Sequence, residues 1–191
     1  MSLQRCWLLA VLVWMIVAVP PTLRAQDSAH DYNKIREGMS KLAPLVGKWH
    51  AVAMFHNGDE VTEREGTYDI RWTLDDTYLE YRVELHHKDD PSKHNGFVVY
   101  VTYNPITRQY DSTYFYTRWA LRVMETGEFD LATREYRTQA FIPLEDGTND
   151  ESVRTITDLK DAKKIVYTHF SRYSNQPKEQ MNLQITLTPA E

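Results

Sequence analysis

From Gly47 to the C-terminal end of the chain, apolar and polar residues alternate with a period of two. The alternation is clearest in residues 68–72, 79–85 and 181–187. A strand with one apolar and one polar face is typical of antiparallel sheet, in which one side packs on a core and the other meets water. No second stretch with helical spacing follows residue 47, so parallel strand–helix–strand units are excluded.

The alternating region divides into about ten strands separated by turn signals. Their predicted bounds are 47–57, 62–73, 77–87, 96–103, 109–118, 119–129, 135–143, 151–158, 164–173 and 179–188. The turn signals are Asn57-Gly58, Asp75-Asp76, Asn104-Pro105, Asp146-Gly147 and residues 175–177. Sequential antiparallel strands lose their free edges when the sheet closes on itself. The predicted fold is therefore all-β: a closed antiparallel up-and-down β-barrel with one short N-terminal helix.

That helix is predicted at residues 32–43. Ile35, Met39 and Leu42 fall on one face at helical spacing. Asp31 is placed to cap its N-terminus, and Pro44 to end it.

Two of the predicted turns have similar sequences, at residues 103–110 and 129–136. Each has an aromatic residue, Asn or Asp, two spacers, Thr-Arg, Gln or Glu, and then Tyr. The Asn or Asp side chain can accept N–H bonds from the backbone two residues on and so start a tight turn. Convergent hairpin chemistry and an internal repeat both explain the similarity, and both predict sequential hairpins.

The first residues resemble an export signal. Arg5 precedes an uncharged run at residues 7–19, Pro20-Pro21 breaks the run, and Ala25 offers a small residue for cleavage. We predict a signal peptide at residues 1–25 and a single barrel domain at residues 26–191. An uncleaved membrane anchor is the alternative. The predicted location is the bacterial envelope, either periplasmic or secreted.

Charge and cysteine content exclude several functions. The formal net charge is −5, and removal of Arg5 and Arg24 with the signal makes it more negative, which argues against nucleic acid or an anionic membrane as partner. The single cysteine, Cys6, lies in the signal, so the mature chain has no disulfide, cysteine zinc site or thiol nucleophile. The histidine-rich segment 86–94 matches no strong metal-ligand spacing, and no metal site is predicted.

The first strand suggests a barrel with interior space. Trp49 is followed on the same face by Ala51 and Ala53, where a packed sheet would carry larger residues. We expect Trp49 to close one end and the alanines to leave volume above it. The alternative is that the alanines accommodate a large neighbour such as Trp72 or Trp119.

The chain resembles a known group at several points in order. These are residues 42–49 with Gly-x-Trp, then residues 76–81, 101–110 and 126–130, and the last strand into Leu187-Thr188-Pro189. The Gly-x-Trp after a short helix is similar to the calycin group, which includes the lipocalins. The remainder resembles a bacterial branch of lipocalin-like domains of unknown function. The resemblance implies a closed antiparallel barrel that often binds a small apolar molecule, and it implies no established reaction.

A neighbouring group, the nitrobindin-type barrels, holds haem through a histidine near the C-terminus. This chain departs from that pattern, because His50-Ala51-Val52 follows Gly47-Lys48-Trp49 and the last histidine, His169, lies inside a strand. We therefore predict no cofactor, although His169 leaves the question open.

The aromatic residues on predicted inward faces mark the candidate ligand site. The predicted function is non-catalytic binding of a small apolar or amphipathic molecule, with no catalytic residues assigned. Arg118 is placed to pair with a ligand carboxylate, and His169 to make a polar contact. The candidate ligand-binding residues are Trp49, Tyr68, Trp72, Tyr81, Tyr114, Tyr116, Arg118 and His169.

Three alternatives remain open from the sequence. The same cavity could serve an isomerase or hydrolase that uses His169. The aromatic residues could instead form an interaction surface, including a homo-oligomer interface. An outer-membrane barrel is the third, but the N-terminal helix and the charges along the strands argue against an integral membrane span.

Overall fold

The computed structural model describes residues 21–117, 122–143, 150–173 and 177–190, without the side chains of 21–30, 143, 150, 151 and 173. These residues form α1 (Pro21–Ser40), a 3-10 helix (Ala43–Leu45) and ten strands. The strands are β1 (Gly47–Asn57), β2 (Glu60–Thr73), β3 (Tyr78–His87), β4 (Asp90–Asn104), β5 (Gln109–Tyr116), β6 (Arg122–Asp130), β7 (Glu135–Pro143), β8 (Asp150–Asp161), β9 (Lys164–Tyr173) and β10 (Gln180–Pro189). No helix in these ranges is long and apolar enough to cross a membrane.

The strands form one closed antiparallel barrel, as predicted. Each strand pairs with its neighbours in sequence, and β1 closes the barrel by pairing with β10, where Ala53 lies opposite Ile185. The main difference in bounds is at β4, which begins at Asp90 rather than at residue 96. The predicted Asp146-Gly147 turn and the first residues of the predicted strand 119–129 lie outside the described ranges.

The helix differs from the prediction at its N-terminal end. It begins at Pro21, so Asp31 lies within the helix and does not cap it. The chain divides into two compact units at Lys34. The described part of the first unit is the N-terminal part of α1, in which Lys34 lies 3.8 Å from Asp31, one turn away.

In the second unit, the end of α1 packs on the barrel through a glycine. Gly38 is unfavourable in a helix interior, but here the Tyr103 ring lies where a β-carbon would be. The Tyr110 hydroxyl donates to the Gly38 carbonyl across 2.7 Å. Met39 in α1 and Leu42 just after its end are fully buried in the core, and Ile35 packs against it, so the three predicted apolar residues all face the barrel. This packing closes one end of the barrel.

The two similar turns have the same geometry. The Asn104 side chain accepts the Ile106 N–H at 3.0 Å, and the Asp130 side chain accepts the Ala132 N–H at 2.8 Å. These bonds confirm the predicted role of the Asn and Asp side chains in starting the hairpins.

Outward faces carry ion pairs. Arg71 on β2 lies 2.8 Å from Glu80, directly opposite on β3, and Arg82 also contacts the same carboxylate. Glu80 is only 5% exposed because these two arginines and Tyr100 surround it. Glu80 therefore links β2 and β3 through an ion pair on the outward face of the barrel.

Candidate binding cavity

The barrel interior contains a cavity of about 500 Å³. Its wall is largely apolar, and one aliphatic contribution comes from Leu45 of the 3-10 helix. Other aliphatic wall residues come from strands all round the barrel, including Ile70, Val99, Val123, Val153 and Ile185. The volume falls within the range of about 300–1,000 Å³ that is usual for small-molecule sites.

Tyrosines supply most of the aromatic wall. Tyr68, Tyr81, Tyr114, Tyr116, Tyr136 and Tyr167 all line the cavity. Burial raises the pKa of Tyr68 and of Tyr81, so both hydroxyls stay protonated and can donate a hydrogen bond. Within the described residues neither hydroxyl has a hydrogen-bond partner. They are therefore free to bind polar atoms of a ligand.

One wall of the cavity carries a buried carboxylate, Glu125 on β6. The residue is 5% exposed. Its Oε2 atom accepts hydrogen bonds from the Tyr114 hydroxyl at 3.1 Å and from the Thr138 hydroxyl at 2.5 Å. Burial raises the pKa of Glu125, and the bonds from Thr138 and Tyr114 and the positive form of His169 offset that rise only in part.

His169 on β9 lines the same cavity and has a fixed orientation. Its Nδ1 atom lies 2.5 Å from Oδ1 of Asn182, whose amide nitrogen donates to the Ser171 hydroxyl at 2.7 Å. Because the amide nitrogen of Asn182 is directed at Ser171, its oxygen faces the histidine. Nδ1 therefore carries a proton, and in the neutral ring Nε2 is the acceptor.

The structure brings together five of the eight residues predicted as ligand contacts. These are Tyr68, Tyr81, Tyr114, Tyr116 and His169, which all line the cavity. Tyr114 and Tyr116 are stacked, with ring centroids 6.2 Å apart. Arg118 lies outside the described residues.

Trp49 and Trp72 do not line the cavity. Trp49 is buried at the end of the barrel that the helix closes, where its indole N–H donates to the Leu45 carbonyl at 2.9 Å. Gly47, the first residue of β1, lies between Leu45 and Trp49 in the sequence. Its φ of 149° is rare for residues with a side chain, so glycine suits this position. Trp72 is partly buried and packs against the core.

The alanines of β1 do not provide the interior space, contrary to the expectation. Ala51 and Ala53 are fully buried in the core and do not line the cavity. Their direct partners on β10, Leu187 and Ile185, are larger and line it instead. The cavity exists because the barrel is wide, as is usual when more than eight strands close.

Sequence reasoning missed Glu125, Tyr136 and Tyr167. A signal for Glu125 was present, since residues 123, 125 and 127 share one face of β6 and all three are buried. At this point of β6 the usual arrangement of apolar residues inward and polar residues outward is reversed: Glu125 is buried, and Met124 is directed outward and 57% exposed. The alternation of apolar and polar residues alone therefore does not identify Glu125 as an inward residue.

Fold and cavity together define a closed antiparallel barrel with a mostly apolar interior cavity. The family described as "Protein of unknown function (DUF1579)" matches residues 37–187. The chain belongs to this family, which agrees with the barrel family of unknown function expected from the sequence. No curated protein matches the chain.

A solved structure shares the fold. It is the crystal structure of Rv2717c from M. tuberculosis, which is similar with a TM-score of 0.60 and 13% sequence identity. The similarity covers 81% of this chain and 98% of that one.

Proposed function

We propose that this protein is an exported barrel that binds a small apolar or amphipathic molecule in its interior. The observation that carries the proposal is the interior cavity of about 500 Å³ with an apolar and tyrosine-rich wall. Concave apolar surface with a few placed polar groups is what small-molecule sites usually present.

The polar side chains of the cavity wall support the proposal that the interior holds a ligand. A filled core leaves few polar side chains facing empty space, because an unpaired buried polar group destabilises the fold. Here the hydroxyls of Tyr68 and Tyr81 face the cavity without a described protein partner. A ligand with polar atoms would complete their hydrogen bonds.

The first test is to detect a bound molecule. The full chain is expressed in a bacterial host, purified without detergent, and measured by native mass spectrometry with an absorbance scan. We expect an added mass, and its identity would distinguish a lipid from a pigment. A Soret band would identify haem and would contradict the prediction of no cofactor.

A second test places the ligand in the cavity. N-phenyl-1-naphthylamine is an uncharged dye whose emission rises in apolar surroundings. The variant Val99→Trp fills the cavity, while Val98→Trp alters the adjacent residue on the other face of β4. We expect Val99→Trp to lose most of the dye signal and Val98→Trp to keep it. Equal binding by both variants would show that the dye does not enter the barrel.

A further inference from the structure

The hydrogen bonds of Glu125 fix where its proton is carried. Tyr114 and Thr138 both donate to the same oxygen, Oε2. A proton on the carboxyl group must therefore be on Oε1. Burial, which raises the pKa of Glu125, favours this protonated form. The protonated carboxyl then presents one donor to the cavity.

His169 presents the complementary group. Its Nδ1–H is held by Asn182, so the neutral ring offers Nε2 as an acceptor. Glu125 and His169 line the same cavity, and the positive form of His169 lowers the pKa of Glu125. Protonated Glu125 and neutral His169 together present one donor and one acceptor to the cavity.

The rest of the polar surroundings is uncharged. The titratable groups facing Glu125 are Tyr114 from β5, Tyr136 from β7, and Tyr167 and His169 from β9. Burial raises the pKa of each of these three tyrosines, so they remain neutral. No lysine or arginine is present among the described residues of the cavity wall.

From this geometry we propose that Glu125 and His169 form a head-group site that selects an apolar molecule bearing an uncharged hydroxyl. The inference rests on the proposed binding in the interior and adds the chemical class of the ligand. A hydroxyl group accepts one hydrogen bond and donates another, so it satisfies both members of the pair.

Other head groups fit less well. A plain hydrocarbon leaves the donor and the acceptor unpaired, and a site with buried polar groups discriminates strongly against a ligand that lacks the matching group. A carboxylate brings a negative charge into a wall that has no described lysine or arginine to pair with it.

The test compares three probes with the same chain: decan-1-ol, decane and decanoate. Each displaces the fluorescent dye from the full-length protein at pH 7. We expect decan-1-ol to bind at least about tenfold more tightly than either of the others. Equal affinities for decan-1-ol and decane would overturn the head-group site while leaving interior binding intact. Tightest binding of decanoate would overturn the choice of an uncharged head group. Failure of all three probes to displace the dye would contradict interior binding of this ligand class.

Two variants assign the donor and the acceptor. Glu125→Gln keeps the size of the side chain, its bonds from Tyr114 and Thr138, and one donor toward the cavity. We expect it to retain the preference for decan-1-ol. His169→Phe removes the acceptor, and we expect the preference over decane to fall to about twofold or less while decane binds as before.

The pH dependence gives an independent readout. In the wild-type protein, loss of the Glu125 proton as the pH rises leaves two acceptors, so decan-1-ol affinity falls. In Glu125→Gln the donor does not titrate, and this fall disappears. A fall of the same size in Glu125→Gln would overturn the role of Glu125. Near-ultraviolet circular dichroism confirms that each variant is folded.

Discussion

The Tyr114 hydroxyl donates to the Glu125 carboxylate across 3.1 Å inside the barrel. The two residues belong to neighbouring strands, β5 and β6, and both side chains face the cavity. The bond compensates only part of the hydration that Glu125 loses on burial, and the pKa of Glu125 stays above its ordinary value of 4.5. An acid in this position makes the stability of the folded protein depend on pH.

We predict that the contribution of Glu125 to stability falls as the pH rises. The folded protein holds a proton that the unfolded chain releases at about pH 4.5. The contribution is therefore complete below that pH and is lost as the pH rises through the higher, folded-state pKa. The free energy of unfolding of the wild type relative to Glu125→Gln should decline from pH 4 to pH 7 in urea titrations. A difference that does not change with pH would contradict this prediction.

The contact between Gly38 of α1 and Tyr103 of the barrel predicts that adding one methyl group at position 38 lowers the free energy of unfolding. In Gly38→Ala, the new methyl group overlaps the Tyr103 ring, so the helix must shift. Overpacking of this kind costs about 1–3 kcal/mol, which should outweigh the gain of about 1 kcal/mol in helix propensity. Urea unfolding measures the net loss. Glu37→Ala, at an exposed position of the same helix, is the control and should leave stability nearly unchanged.

The ion pairs between β2 and β3 predict that two glutamates of β3, Glu80 and Glu84, contribute differently to the free energy of unfolding. Glu80 is nearly buried beneath Arg71 and Arg82, whereas Glu84 is exposed on the same outward face. We expect Glu80→Gln to lower the free energy of unfolding by about 1–2 kcal/mol, and Glu84→Gln by less than about 0.5 kcal/mol.

The pH dependence of this loss has the opposite sign from that of Glu125. Burial would raise the pKa of Glu80, but the hydrogen bonds and charges of Arg71 and Arg82 outweigh it and hold the pKa below 4.5. The stabilisation is present above pH 4.5 and disappears as the pH falls through the lower, folded-state pKa. Equal effects of the two substitutions at neutral pH would show that burial of Glu80 does not matter.

The N-terminal residues predict export with cleavage after Ala25. Mass spectrometry of the protein recovered from the periplasm or the culture medium should show Gln26 as the first residue. Ala25→Arg, which removes the small residue at the cleavage site, should accumulate uncleaved protein. Recovery of the intact chain from the wild type would favour the uncleaved anchor.

Much of the barrel was predictable because the chemistry of its strands is local. Apolar and polar residues alternate around Tyr68 and Tyr81, and this pattern places both tyrosines on inward faces. The turns at Asn104 and Asp130 can be recognised from their own sequences. The start of α1 was not predicted because residues 21–25 were assigned to the signal peptide and Pro21 was interpreted as a break. Glu125 was missed for a different reason, since its strand places an acid inward and Met124 outward.

The inward orientation of Glu125 is fixed only by the pairing of β6 with its neighbouring strands. Val123 lies opposite Tyr114 in the β5–β6 ladder, and a shift of one residue would turn Glu125 toward the solvent. The register of the hairpin therefore decides which residues form the polar part of the cavity, and no short segment of sequence contains that information.

The pairing of β1 with β10 has a consequence for how the protein acquires its structure. The strand that begins the barrel has its final partner at the opposite end of the domain, with Trp49 opposite Pro189. Contacts between such distant parts of a chain carry a high entropic cost and slow folding. During synthesis, the barrel stays open until β10 has left the ribosome. β1 therefore waits for its second partner while eight other strands are made, and an unpaired edge is exposed throughout that time.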